Sequence, residues 1–188
     1  MPASSSGNGS DSDYCGSAVT AYSKASVTGG PAGERPGPLG RLLAWVFSTG
    51  LGTGLVPRGQ GTLASAVFVG LWVLLVPRET WVELAVAVLL NLLSVPLSSL
   101  GERLWGPDPG RVTIDEFAGQ SIALIALPRE PLLLLAAFIL FRLFDVFKLP
   151  VVRRRVETLP GGWGVTLDDT IAGLLARVLL VPLILLLA

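Results

Sequence analysis

Five apolar segments, at about 62–76, 81–100, 112–127, 131–149 and 168–188, constrain this chain more than any other feature. A helix needs about 20 apolar residues to cross a bilayer. The segments at 81–100, 131–149 and 168–188 reach that length or come close to it. Those at 62–76 and 112–127 are short: they either borrow residues from polar flanks or stay buried or re-entrant behind other helices. Hydrophobic residues make up 51% of the chain and mean hydropathy is +0.65, well above an ordinary soluble domain. The expected fold is all-α: a polytopic membrane helix bundle of about four to five apolar helices over residues 39–188. Residues 1–38 are rich in Ser, Gly, Ala and Pro, show no apolar period, and are expected to form a disordered tail. No apolar run after a basic start marks them as a signal peptide.

The breaks between segments predict how the helices are arranged. Pro77-Arg78-Glu79-Thr80 and Pro128-Arg129-Glu130-Pro131 are tight, so each should join an antiparallel hairpin. If all five segments cross, these two turns share one membrane face and every other polar segment falls on the opposite one. That opposite face carries Arg41, Arg58, Arg103, Arg111, Lys148, Arg153, Arg154 and Arg155, against Arg78 and Arg129 at the turns. By the positive-inside rule the richer face is cytoplasmic. Leu42, Trp45, Val46 and Phe47, after Arg41, form a short amphipathic stretch suited to the membrane interface.

Composition also removes whole classes of chemistry. The chain has no histidine, which excludes Ser-His-Asp and Cys-His mechanisms, phosphohistidine and His-ligated zinc. Its single cysteine, Cys15, makes no internal disulfide. Fourteen basic and 14 acidic residues cancel, so no global positive field attracts nucleic acid. Catalysis is left to carboxylates, Lys, Arg, hydroxyls, backbone dipoles and a hard metal.

Carboxylates gather where apolar segments begin or end. Asp115 and Glu116 stand at the mouth of the third segment, and Asp168 and Asp169 open the fifth after the glycine-rich run Gly161-Gly162-Trp163-Gly164. Adjacent acids repel unless compensated. A bound Mg²⁺ is one remedy, because hard cations take carboxylate oxygens; a favourable helix dipole is the other. Arg142, Asp145 and Lys148 recur every three residues along one helical stripe. They read either as an ion-pair ladder or as Asp145 on a metal with Arg142 and Lys148 on phosphate oxygens. The segment Gly50 to Gly61, with Thr53 and Thr62, offers backbone N–H groups for a phosphate cradle but lacks the Gly-Lys-Ser/Thr of a P-loop. Arg153-Arg154-Arg155 reads as an anionic-headgroup contact or a topology anchor.

These residues, in this order, resemble the phosphatidylglycerophosphatase A family over about residues 48–178. The strongest pieces are Ile114-Asp115-Glu116-Phe117-Ala118-Gly119, Phe141-Arg142-Leu143-Phe144-Asp145, and Gly161-Gly162-Trp163-Gly164 with Asp168-Asp169 and Ala172-Gly173. Glu102, Gly106, Asp108 and Pro109 also fall where the family has Glu, Gly and Asp-Pro. The chain departs from the family at Gln60-Gly61-Thr62, at Ala64-Ser65 and at Lys148-Leu149-Pro150, where Pro-Gly-Thr, Gly-Ser and Lys-Pro are usual. The resemblance implies Mg²⁺-dependent hydrolysis of phosphatidylglycerophosphate to phosphatidylglycerol and phosphate at a bacterial cytoplasmic membrane. On that reading Asp115, Glu116, Asp145, Asp168 and Asp169 are the catalytic and metal-binding set. Thr53, Gly61, Thr62, Arg142, Lys148 and Arg153 then contact the substrate. A small cation transporter and a non-enzymatic lipid-binding protein are the competing readings of the same intramembrane charges.

Overall fold

Prolines, glycines and charged breaks set where the helices begin and end. The computed structural model describes residues 36–106, 109–147 and 162–187. Among these residues all regular structure is helical. Helix α1 (Pro38–Leu43) starts on a proline at its first turn, runs into a π-helical turn, Ala44–Ser48, and is followed by a 3₁₀ turn, Thr53–Leu55. Five longer helices follow: α2 (Gln60–Leu75), α3 (Thr80–Trp105), α4 (Ile114–Leu124), α5 (Pro131–Val146) and α6 (Trp163–Leu187). Gly59 precedes α2 with φ +71° and Gly106 ends α3 with φ +96°, backbone conformations that favour glycine. The expected tail lies outside the described residues except for 36–38, and Pro38 already belongs to α1.

Each apolar segment forms a helix, but three boundaries differ from expectation. Helix α3 runs on to Trp105, well past position 100, so the polar connection after it is shorter. Helix α6 begins at Trp163, which places Asp168 and Asp169 in its second turn and not at its opening. Helix α4 contracts to 11 residues, or about 16 Å at 1.5 Å per residue, roughly half a bilayer core. Its burial explains its shortness: every α4 residue except Glu116 and Ile122 is buried, because α2, α3, α5 and α6 all pack around it. Of the two readings for segment 112–127, the structure adopts the helix enclosed by its neighbours. Among the described residues, α3 alone is long and apolar enough to cross a membrane by length and composition.

The α4–α6 crossing is unusually close. A Cβ on Gly119 would overlap the Asp169 carbonyl, and one on Gly173 would overlap the Gly119 carbonyl. Small residues at such a crossing let two backbones approach where larger side chains would separate them. Polar side chains tie α3 to this pair: Asn91 Nδ2 donates to Ala118 O (3.2 Å), Thr170 Oγ1 donates to Asn91 Oδ1 (2.6 Å), and Ser94 and Thr166 hydroxyls share a bond of 2.9 Å.

The two tight turns do meet at one end of the bundle. Arg129, from the second turn, donates to Val73 O, Val76 O and Pro77 O at the first, and pairs with Glu83 of α3 at 3.4 Å. Glu83 also accepts from Ala126 N (2.7 Å), where the backbone turns with φ +50°. The first hairpin is more open than its short turn suggests: α2 and α3 leave between them an apolar groove of about 260 Å³, walled by Leu71, Trp72, Leu75, Val86 and Leu90 and floored by Ile114 and Phe117 of α4.

The outer surface is more apolar than that of a water-soluble domain, and polar side chains share the interior with the apolar core. Ser48, Ser65, Ser94, Ser98, Thr113, Gln120, Ser121 and Thr166 are buried, whereas Leu92, Leu135, Ile139, Leu174, Val178 and Leu185 stand exposed on the outer faces of α3, α5 and α6.

Candidate active site

The site forms where α4 starts, at the end of the bundle opposite the two tight turns. Its frame is the segment between the π turn and α2. Ser48 O accepts from Thr113 N (2.9 Å), and the Thr53 and Thr113 hydroxyls share a bond of 3.0 Å. Gly54 lies so close to the Arg111 backbone that a Cβ would overlap its carbonyl. The glycine-rich segment is therefore packed against the entry to α4 and holds Asp115 and Glu116 in its first turn.

Two acid pairs converge there, but not all four carboxylates do. Asp115, Glu116 and Asp169 each present an oxygen atom within 4.8 Å of the others. Asp115 is 5% exposed and Asp169 3%. Asp168 precedes Asp169 by about 100° around α6, and it stands outside this three-carboxylate group. The Gly119/Gly173 crossing lies one turn deeper on each helix, four residues after Asp115 and four after Asp169. That close contact sets the distance across which the acids face each other.

Helix α5 contributes the cation. Arg142 Nη1 pairs with Asp145 at 2.5 Å, the i,i+3 neighbour on the charged stripe. Gly61, in the first turn of α2, lies against both α4 and α5: a Cβ there would overlap Glu116 Oε1 and sit 2.9 and 3.0 Å from the two terminal nitrogens of Arg142. Gly61, Glu116 and Arg142 thus meet from three helices.

Among the other expected substrate contacts, the Thr53 hydroxyl is occupied by Thr49 O, Gly50 O and Thr113, so it serves the frame. Thr62 is exposed on α2. Lys148 and Arg153 lie outside the described residues.

The donor set fits a hard divalent cation. Asp115 Oδ1 and Glu116 Oε2 are buried without a hydrogen-bond partner, and so is Arg142 Nε. Like charges this close and this enclosed either take up protons or bind a cation. Three oxygen donors would hold the ion, and a guanidinium beside them is placed to meet an anionic ligand.

Two buried polar features stand outside the expected site residues. Arg129, expected only as a residue of the second tight turn, forms a buried ion pair at the far end with Glu83 of the second apolar segment. Gln120, within the third apolar segment, is wholly buried. A polar residue within an apolar segment was the available signal for both.

Comparison with known proteins supplies the family. No solved structure matches the chain. A Bacteroides thetaiotaomicron protein, provisionally named a phosphatidylinositol-3-phosphatase, is 37% identical over 147 residues, covering 74% of this chain and 92% of the relative. The Escherichia coli phosphatidylglycerophosphatase A is 30% identical, covering 70% of this chain and 77% of that protein. The Haemophilus influenzae phosphatidylglycerophosphatase A is 34% identical, covering 70% and 82%. The family model for phosphatidylglycerophosphatase A matches residues 46–184, which takes in α2 to α5 whole and nearly all of α6. The chain therefore belongs to the phosphatidylglycerophosphatase A family.

Proposed function

We propose that this chain is a Mg²⁺-dependent lipid phosphatase that hydrolyses phosphatidylglycerophosphate to phosphatidylglycerol and phosphate in bacterial phospholipid synthesis. The observation that carries this reading is the buried group of Asp115, Glu116 and Asp169 beside Arg142, in a chain of this family. Asp115, Glu116 and Asp169 would hold the cation, with Asp145 next to them on α5. When bound, Mg²⁺ supplies charge neutralisation for the phosphoryl group and lowers the pKa of water.

The chain's own residues do the rest. Arg142, fixed by Asp145, presents nitrogens towards the site and stabilises phosphate oxygens as charge develops. Gly61 leaves the room beside Glu116 that a side chain would fill. Attack by water is favoured over attack by a carboxylate, because the three acids are grouped as ligands are; a phosphorylated Asp trapped by acid quenching would reverse that preference.

The exposed apolar faces of α3, α5 and α6 suit lipid contact, so the substrate's acyl chains stay in the bilayer while its headgroup reaches the carboxylates. A multi-pass topology puts this end of the bundle in the cytoplasm. The tight turns carry only Arg78 and Arg129, against the larger number of basic residues on the other face, which supports this orientation by the positive-inside rule. In a Cys15→Ser background, Arg78→Cys should react with an impermeant thiol reagent applied to intact spheroplasts and Arg58→Cys should not. The reverse pattern would sink this orientation.

The 37%-identical relative motivates a second reading, a phosphomonoester on an inositol headgroup. Purified protein in detergent should release phosphate from phosphatidylglycerophosphate with Mg²⁺ and stop with excess chelator. Phosphatidylinositol 3-phosphate assayed in parallel distinguishes the two substrates. Release that ignores the chelator would remove the metal mechanism. No release from either lipid by folded protein would favour transport or lipid binding.

A further inference from the structure

Gln120 is wholly buried in α4, and neither its amide nitrogen nor its amide oxygen has a hydrogen-bond partner. A primary amide offers two donors and two acceptors, and leaving them all unmet in a dry interior is costly. Several other buried polar side chains of the bundle are satisfied: Ser65 donates to Gly61 O (2.9 Å), Ser121 to Ala118 O (2.6 Å), and Thr113 is bonded to Thr53. A leucine would fill this place without the penalty. The amide therefore calls for a partner that is neither backbone nor side chain.

Its position indicates which. Gln120 follows Glu116 by four residues, so it lies on the same face of α4 one turn deeper, about 6 Å along the axis. Long helical side chains lean towards the helix N-terminus, which directs the amide up at the carboxylate group. Glu116 Oε2 and Asp115 Oδ1, above it, are buried and equally unpartnered, so Gln120 and Glu116 do not bond directly. The unmet groups are complementary: an N–H for a carboxylate or water oxygen, and a carbonyl for a water hydrogen. A water molecule between them accepts from the amide N–H and donates to carboxylate oxygens, so it bridges groups that cannot reach one another.

We propose that Gln120 is a positioning residue of this site, holding a water molecule between its amide and a hydrated divalent cation bound by Asp115, Glu116 and Asp169. The proposal rests on the cation-binding part of the function given above. Partners of this kind behind the ligands orient them, and their loss weakens metal affinity by roughly 10–100-fold.

The test uses the full chain in detergent, with Mn²⁺ as the probe and no substrate present. Mn²⁺ binding is followed by electron paramagnetic resonance, and thermal unfolding is measured without cation. Gln120→Leu should weaken Mn²⁺ binding by about 10-fold or more. It should leave the cation-free protein as stable as the wild type, or more so, because it removes an unmet amide. Gln120→Glu, which keeps an oxygen acceptor in place, should bind Mn²⁺ more tightly than Gln120→Leu. Mn²⁺ affinity within about twofold of wild type in Gln120→Leu overturns the proposal, as does a wild type that binds no Mn²⁺. Gln120→Met replaces the leucine variant if that fails to fold. A wild type that binds Mn²⁺ but releases no phosphate defeats the phosphatase reading alone, and the binding titration still decides the role of Gln120.

Discussion

Asp115 and Asp169 belong to helices far apart in the chain, yet with Glu116 they bring carboxylate oxygens within 4.8 Å. Such a cluster is unfavourable without a counter-charge, so removing one member changes ligand binding more than it disturbs packing. Asp115→Asn and Asp169→Asn should each lower turnover roughly 100-fold or more, the scale on which losing one charge-stabilising group acts. Both variants should stay folded in membranes, because Asn keeps the shape. Phosphate release and thermal unfolding of the same preparations check this; near-normal turnover removes that residue from the site. The acidic residues were legible in the sequence, since carboxylates bordering apolar segments attract attention wherever they occur. Which of Asp168 and Asp169 joins the group was not, because adjacent residues differ by about 100° around the helix and only packing sets that rotation.

Between α4 and α6 the position of the acids is decided by two glycines. A Cβ at Gly119 would meet the Asp169 carbonyl and, at 2.6 Å, the ring of Phe141. Backbone cannot move aside as a flexible side chain can, so the helices must part. Gly119→Ala should cost about 1–3 kcal/mol of stability, as overpacking does. It should also lower activity more than that loss explains, because Asp169 itself is displaced. Thermal unfolding and turnover on the folded fraction separate the two effects, and a variant with wild-type activity would show that the crossing does not govern the site. The helices could be read from apolar runs and breakers. Their ends were less legible: α6 starts early at Trp163, and α4 is short because its neighbours enclose it.

Across the whole molecule, the site and the structural ion pair occupy opposite ends. Glu83 is 3% exposed and accepts from Arg129 and Ala126 N, joining the two tight turns. Breaking a buried pair strands the remaining charge, so Glu83→Gln should destabilise the bundle by about 3 kcal/mol. The folded fraction should retain its phosphatase chemistry, since nothing in the site touches Glu83. A thermal midpoint equal to wild type, or turnover per folded molecule as low as in the Asp115 variant, would contradict this separation.

The sequence by itself determined that the described chain is helical, that large apolar side chains are left to its outward surfaces and that, with no histidine, the proposed chemistry falls to carboxylates. Those properties are local: composition, period and breaker residues act within a few turns. Tertiary structure alone decided that the shortest apolar helix lies at the centre, that Asp169 rather than Asp168 faces Asp115 and Glu116, and that Arg129 closes the far end. These depend on the rotation and spacing of helices relative to one another. Contacts such as Gly119 against Gly173 set that rotation and spacing, and neither surface specifies them until the other is present.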